Sequence, residues 1–128
     1  MSGQQPLALI VEDHGELADV FQMAFREAGY ETEVAKDGWQ ALARLETVVP
    51  DVIALDLQLP LVSGGDVLRR LRGDDRLDAM RVILVTAEPH LAREVQELAD
   101  LVLLKPVSFN QLRDLASRLR PGATDGDP

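Results

Sequence analysis

Glu12–Asp13, Asp56, Thr86 and Lys105–Pro106 carry the groups best suited to chemistry, and each stands directly after an apolar run. The runs are LALIV (7–11), VIAL (52–55), VILV (82–85) and LVLL (101–104). A hydrophobic strand that ends in a carboxylate such as Asp56 needs a reason, because burying an unpaired charge is costly. Either the strand opens at a mouth filled with water, or a cation meets the charge there. In a parallel sheet all carboxyl ends share one edge, so three carboxylates, a hydroxyl and an ammonium distant in sequence would meet. Carboxylates gathered in this way raise one another's pKa values. A hard divalent cation relieves the repulsion: Mg²⁺ takes oxygen ligands and is commonly held by one or two carboxylates plus a phosphoryl oxygen. Lys105 adds a further positive charge, and the Thr86 hydroxyl can donate to an anion. A carboxylate so placed can attack a phosphoryl donor, because the neighbouring cations neutralise charge on the group in transfer. The chemistry implied is an acyl phosphate formed on an aspartate of the chain itself. If Glu12, Asp13 and Asp56 do converge, Mg²⁺ should raise the melting temperature and Asp56→Asn should stabilise the metal-free protein.

The elements that position these groups are legible in the periodicity. A fifth and weakest strand-like run, ETEVA (31–35), ends in Ala35 and brings no comparable group. Leu17, Val20, Phe21, Ala24, Phe25 and Ala28 follow the spacing of one buried helical stripe, and Gly29 is placed to end it. Shorter stripes are Ala41, Leu42 and Leu45 after Asp37–Gly38, then Val67, Leu68 and Leu71 after Gly64–Gly65, then Leu91, Val95 and Leu98. A last stripe, Phe109, Leu112, Leu115, Ala116 and Leu119, opens with Ser108 and has Gln111 three later, a capping-box pattern. Strand and helix therefore alternate five times, with no two-residue hairpin signal between strands. The expected fold is α/β: a doubly wound parallel five-stranded sheet with helices on both faces. Residues 1–120 read as one domain, and PGATDGDP (121–128) as a flexible C-terminal tail.

Composition narrows the function classes. The 128 residues carry 22 acidic against 13 basic side chains, a net charge of −9, which disfavours direct nucleic-acid binding. Arg69, Arg70, Arg72 and Arg76 lie among Asp66, Asp74, Asp75 and Asp78 and read, like the arginines at 113–120, as solvated helix faces. No apolar run approaches a membrane span, and the N-terminal MSGQQ lacks the pattern of a secretory signal. The expected compartment is the cytoplasm. The chain has no cysteine, so disulfides and thiolate metal sites are excluded.

Taken in order, Glu12–Asp13, Asp56 with Pro60 four later, Gly64, Thr86–Ala87 and Lys105–Pro106 give the chain a family likeness. It resembles the receiver domain of bacterial two-component response regulators over residues 6–120. REAGYETEVAKDGWQAL (26–42) is also similar to the segment between the first and second helices of such domains. The resemblance implies a flavodoxin-like (βα)5 sheet of order 2-1-3-4-5 with the phosphoacceptor at Asp56. It implies Mg²⁺ held by Asp13 directly, Glu12 through water, Asp56, and the backbone carbonyl of Gln58. It implies that Thr86 binds the phosphoryl group and moves with it, with small Ala87 leaving room, that Lys105 pairs with that group, and that the Lys105–Pro106 bond is cis. A partner histidine kinase or phosphotransfer protein would supply the phosphoryl group, and a downstream protein would read the result. Homodimerisation is a further option for such domains. With short ends, the chain reads as a stand-alone receiver.

Three departures bear on output. The position three before the lysine, where the family carries a switch aromatic, holds Val102, which has no ring to swing. Thr86 and Lys105 are 19 positions apart, a few fewer than usual, so the fourth helix is expected to be short or displaced, beginning after Pro89. Leu61 follows Pro60 where a glycine is common. The first two changes fall on a face that such domains use to dimerise or bind targets, so phosphochemistry is expected to survive while the output surface differs. Gln58 and Glu88, two positions after Asp56 and Thr86, are expected to flank the pocket and tune water access. His14 reads as an exposed residue opening the first helix, His90 as lying near the start of the fourth, and Trp39 as a cover for the second helix.

The leading function is a signalling switch rather than an enzyme acting on a separate substrate. The alternative is a receiver-like interaction module that works independently of phosphorylation. A haloacid-dehalogenase-type phosphatase would need a second Asp where the chain has Gln58, and is rejected. A flavin or dinucleotide site is disfavoured because the first loop, EDHGE, is anionic where a phosphate cradle offers amides.

Overall fold

The computed structural model describes residues 5–122. Apart from Pro121 and Gly122, the expected tail lies outside the described residues. Five strands, β1 (Leu7–Val11), β2 (Glu31–Ala35), β3 (Val52–Asp56), β4 (Arg81–Thr86) and β5 (Leu101–Leu104), form one sheet of order β2-β1-β3-β4-β5. Every pairing is parallel. The helices are α1 (Gly15–Glu27), α2 (Gly38–Leu45), α3 (Gly64–Arg72), α4 (Pro89–Arg93) and α5 (Phe109–Leu119).

Alternation along the strands explains why their sequences are almost continuously apolar. Ala8, Ile10, Val52, Ala54, Ile83, Val85 and Leu103 face one way and pack with Phe21, Phe25, Tyr30 and Leu112 from the α1–α5 side. Leu9, Val11, Ile53, Leu55, Val82 and Leu84 face the other way, towards Leu45, Leu68, Leu71 and Val95 on the α2–α3–α4 side. Both faces of the sheet are covered, so neither set of side chains can be polar. β2 is an edge strand and only Ala35 in it is buried, which accounts for its mixed sequence.

Local chemistry marks the helix ends. Asp37 caps α2 by accepting from the Gln40 N–H, Ser63 caps α3 through Asp66, and Ser108 caps α5 through Gln111. Gly29 takes φ +100 after α1, a conformation glycine adopts without steric cost. Leu61 takes φ +70, which costs an ordinary residue about 1–2 kcal/mol and explains why a glycine suits that position.

The shortened spacing before Lys105 falls where expected: α4 has five residues and starts at Pro89. A single 3₁₀ turn, Gln96–Leu98, then leads into β5. Polar interactions hold this segment where helix packing is sparse. The Arg72 guanidinium donates to Leu98 O at 2.8 Å, Met80 O at 3.2 Å and Asp100 Oδ2 at 3.2 Å. Asp100 Oδ2 also accepts from the Val82 N–H at 2.7 Å, at the start of β4. This corrects the reading of all four arginines as solvated. Arg72 is 19% exposed and ties α3 to β4 and β5, and Arg76 donates to Leu45 O at the end of α2. The planar guanidinium spreads its five donors over acceptors on three sides at once, a reach that one compact ammonium does not match. Arg72→Ala is expected to lower stability by about 2 kcal/mol, read as the midpoint of urea unfolding, and Arg72→Lys to restore little of it. Arg69→Ala, which removes an exposed pair with Asp66, is the control and should change stability by less than about 0.5 kcal/mol.

Candidate functional site

The carboxyl edge of the sheet gathers the charges. The Glu12 N–H donates to Ala35 O, extending the β1–β2 ladder one step, and the Lys105 N–H donates to Thr86 O beyond β5. Backbone pairing thus fixes both residues before their side chains act. Asp56 is the last residue of β3 and, like Glu12, is 3% exposed, whereas Asp13 is exposed. Asp56 Oδ1 accepts from the Gln58 N–H at 2.9 Å, and Oδ2 accepts from Lys105 Nζ at 3.1 Å. Lys105 Nζ also lies 3.3 Å from Glu12 Oε1, while Glu12 Oε2 accepts from the His14 N–H at 3.1 Å. Glu12, Asp13 and Asp56 each offer an oxygen within 4.8 Å of the others.

One ammonium therefore faces three carboxylates. Two unit charges about 4 Å apart interact by roughly 4 kcal/mol at an effective dielectric constant of 20. Three carboxylates against one ammonium leave two negative charges uncompensated in the cluster, which a further cation would neutralise. Burial pushes the Glu12 carboxyl above its usual range and the Asp56 charge adds to this, against the His14 N–H and Lys105. For Lys105, burial opposes the charged form, but Asp56 and Glu12 outweigh it and raise its pKa. The donor set is all oxygen, with two buried carboxylates and one exposed, and fits a hard divalent cation better than a soft one.

The cleft around these groups has a volume of about 780 Å³ and is lined by Asp13, His14, Gln58, Ala87 and Lys105, with Leu17, Val20, Pro106 and Val107 as its apolar wall. That wall was missed from the sequence. Its signals were the positions of Leu17 and Val20 on the first helical stripe and of Val107 directly after the proline. The Lys105–Pro106 peptide is cis.

Thr86 is placed differently. By strand alternation it belongs with Val82 and Leu84 on the α2–α3–α4 face, whereas Asp56 follows Val52 and Ala54 on the α1–α5 face. Its side chain is fully buried, and its hydroxyl accepts from the Glu88 N–H at 3.0 Å. It does not line the cleft, although its neighbour Ala87 does. Glu88 is exposed and outside the cleft lining, with its carboxylate 3.4 Å from His90 Nε2. Val102 pairs with Leu84 across β4–β5 and packs half-buried on the same face as Thr86.

Fold and site together define a parallel α/β domain with an acidic, lysine-bearing edge. The family model for the response regulator receiver domain matches residues 8–117, and the chain belongs to that family. Curated relatives include the transcriptional regulatory protein TrcR of Mycobacterium tuberculosis, 37% identical over 88% of this chain and 43% of TrcR. Another is the sensory transduction protein RegX3 of Mycolicibacterium smegmatis, 39% identical over 93% of this chain and 53% of RegX3. The chain thus spans about half the length of the curated relatives it matches. Among solved structures, chemotaxis response regulator CheY4 of Vibrio cholerae superposes with a TM-score of 0.83 at 26% identity, covering 91% of this chain and 99% of its own. TrrA of Thermotoga maritima, solved in complex with Mg²⁺-BeF, gives a TM-score of 0.78 at 26% identity over 89% of this chain and 98% of its own.

Two outcomes test the electrostatics of the site without added metal. Asp56→Asn keeps the acceptor for Gln58 and removes one of the repelling charges, so it should raise the melting temperature, by roughly 1–2 kcal/mol of stability. Because the folded state raises the Glu12 pKa, Glu12 adds stability when protonated and loses that contribution as pH rises through its folded pKa. Thermal melts of wild type and Glu12→Gln between about pH 4 and pH 7 should therefore show wild type losing ground as pH rises. A gain for wild type over that interval would mean that Lys105 over-compensates both carboxylates.

Proposed function

We propose that the chain is the phosphoacceptor of a two-component phosphorelay, with Asp56 the residue modified. The observation that carries this reading is the Asp56 carboxylate at the open carboxyl edge, within 3.1 Å of Lys105 Nζ and grouped with Glu12 and Asp13. A histidine kinase or phosphotransfer protein presents a phosphohistidine at the cleft. An Asp56 oxygen attacks phosphorus, the P–N bond breaks, and the imidazole leaves with its electron pair. With a small acyl phosphate as donor the P–O bond breaks instead and a carboxylate leaves, with no proton required. Asp13, Glu12, Asp56 and the Gln58 carbonyl would hold Mg²⁺, which supplies positive charge against the phosphoryl oxygens. Lys105 exchanges its bond to Asp56 for one to the phosphoryl group. Thr86 reaches that group only by giving up its bond with the Glu88 N–H, so its move is coupled to the loop that starts α4.

The chain acts on its own side chain and on no separate substrate. Residues 1–120 form the receiver unit, with a tail from 121, working in the cytoplasm where such kinases present their phosphohistidines. Among the described residues no helix is long and apolar enough to cross a membrane. One relative is described as a DNA-binding master transcriptional regulator, but this chain aligns with only 46% of it, and its net charge of −9 argues against nucleic-acid contact by these residues. A downstream protein is the expected target, with homodimerisation as a route to it. A second reading, an interaction module independent of phosphorylation, is favoured by the five-residue α4 and by valine at 102.

Intact mass after incubation with acetyl phosphate tests the first reading. One phosphoryl group should add in the presence of Mg²⁺, with none in Asp56→Asn or in chelator. Mg²⁺ alone should raise the melting temperature of wild type, by an amount equivalent to about 2.7 kcal/mol at a hundredfold excess over Kd, and raise that of Asp56→Asn less. No addition from acetyl phosphate or from any phosphorylated kinase would leave the second reading.

A further inference from the structure

Glycine is a poor helix former, yet α2 and α3 open on Gly38 and Gly64. Neither uses glycine's backbone freedom, because among the described residues the glycines with positive φ are Gly29 and Gly122. What sets them apart is space. A Cβ on Gly64 would overlap Asp56 O and lie 2.6 Å from Leu57 Cα. A Cβ on Gly38 would lie 2.6 Å from Val62 O, 2.7 Å from Val62 Cβ and 3.1 Å from Val67 Cγ2. The crowding is not a property of helix starts in general. Gly15 opens α1, and a Cβ there would meet nothing within 4 Å. On Gly65, directly after Gly64, it would meet nothing closer than 3.7 Å.

Both contacts close on one stretch of chain, the β3–α3 loop that leaves Asp56. The Leu57 N–H donates to Val85 O at 3.0 Å and pins the near end to the sheet. The Gly64 N–H donates to Leu57 O at 3.2 Å and brings the far end back beside it. Between them the Val62 N–H donates to Pro60 O at 2.9 Å, closing a tight turn around Leu61. The loop has little slack. Val62, pressed by α2, is joined through that turn to Gln58, whose N–H donates to Asp56 Oδ1 at 2.9 Å. A methyl group added at either glycine meets a backbone oxygen first, so no flexible side chain can swing aside to admit it.

We propose that Gly38 and Gly64 are positioning residues for the Asp56 site. By letting α2 and α3 close on the loop, they set the Asp56 carboxylate and the Gln58 carbonyl. Neither glycine lines the cleft, and α2 contributes no residue to its lining. The inference rests on the reading of Asp56 as phosphoacceptor and adds a remote helix to what holds that site in place.

Gly38→Ala is the decisive variant, since the Gly64 position is blocked by backbone on two sides and its alanine variant risks the fold. Gly65→Ala is the control. Three quantities are read on the full chain well below its melting temperature: the Gln58 amide NMR signal without metal, the Kd for Mg²⁺, and the rate of phosphorylation by acetyl phosphate. Gly38→Ala should move the Gln58 signal, weaken Mg²⁺ binding about tenfold and slow phosphorylation by a similar factor. Gly65→Ala, although nearer to Asp56 in sequence, should match wild type in all three. Val62→Gly added to Gly38→Ala takes away the Val62 Cβ and should recover part of each loss, a rescue that a weakened fold would not show. An unmoved Gln58 signal in Gly38→Ala, wild-type Mg²⁺ affinity despite a moved signal, or equal effects from Gly65→Ala would overturn the proposal. If wild type itself accepts no phosphoryl group, the reading of Asp56 fails, and the Gln58 signal and Mg²⁺ affinity still decide the role of Gly38.

Discussion

Lys105 meets two buried carboxylates at once, 3.1 Å from Asp56 and 3.3 Å from Glu12, and the whole sheet has to be in register for it to do so. Val11 pairs with Leu55, so the next step sets Glu12 beside Asp56. Thr86 pairs with Leu104, so Lys105 follows one step later. Glu12, Asp56 and Lys105 also share the parity of the residues facing α1 and α5, and therefore converge. A one-residue slip of any of these strands would turn its charged end to the opposite face and leave the others unpaired. Register is specified twice, by the apolar residues below and by the ion cluster above.

The same alternation separates Thr86 from the cluster. Its parity places it with Val102 on the α2–α3–α4 face, and its hydroxyl is already satisfied by the Glu88 N–H. Any role for Thr86 at the cleft requires the β4–α4 loop to rearrange. The element beyond that loop is one that can yield: α4 has five residues, and Arg72 and Asp100 hold the following segment from below. The polar clamp and the short helix are two sides of one economy of chain. Few residues remain between Thr86 and β5, and the backbone carbonyls of Met80 and Leu98 are bonded to one guanidinium.

Much of this was legible in the sequence because it rests on local rules. Apolar runs ending in Glu12, Asp56, Thr86 and Lys105 announce strand ends, and Ser63, Asp37 and Ser108 announce helix starts. The 19-residue spacing between Thr86 and Lys105 announces the short fourth helix. What stayed hidden depends on pairings across the fold. Arg72 looks like Arg69 until Asp100, 28 positions on, is placed beside it. Parity with Val82 and Leu84 puts Thr86 on the α2–α3–α4 face, and convergence of strand ends at one edge does not by itself say on which face each side chain falls. Leu61 was visible as a departure from glycine, yet only its φ of +70 shows what the departure costs.

Two routes lead away from Asp56, and they differ in stiffness. One would exist only after the proposed move of Thr86 and would run from its hydroxyl to the β5 surface, where the neighbouring side chain is Val102 and Leu104 is half exposed, so little packing is at stake. The other is backbone against backbone. A Cβ on Gly64 would overlap Asp56 O and lie 2.6 Å from Leu57 Cα, and the Gly38 Cβ position is similarly blocked by Val62. Contacts this close have no side-chain torsion to absorb a shift, so a displacement of the Asp56 carbonyl is passed to the loop and then to α2. Interiors packed to that density transmit strain rather than damp it. On mechanical grounds, therefore, the β3–α3 loop is the stiffer link between Asp56 and the protein surface, and it ends at the corner where the chain leaves Leu61 and Trp39 in water.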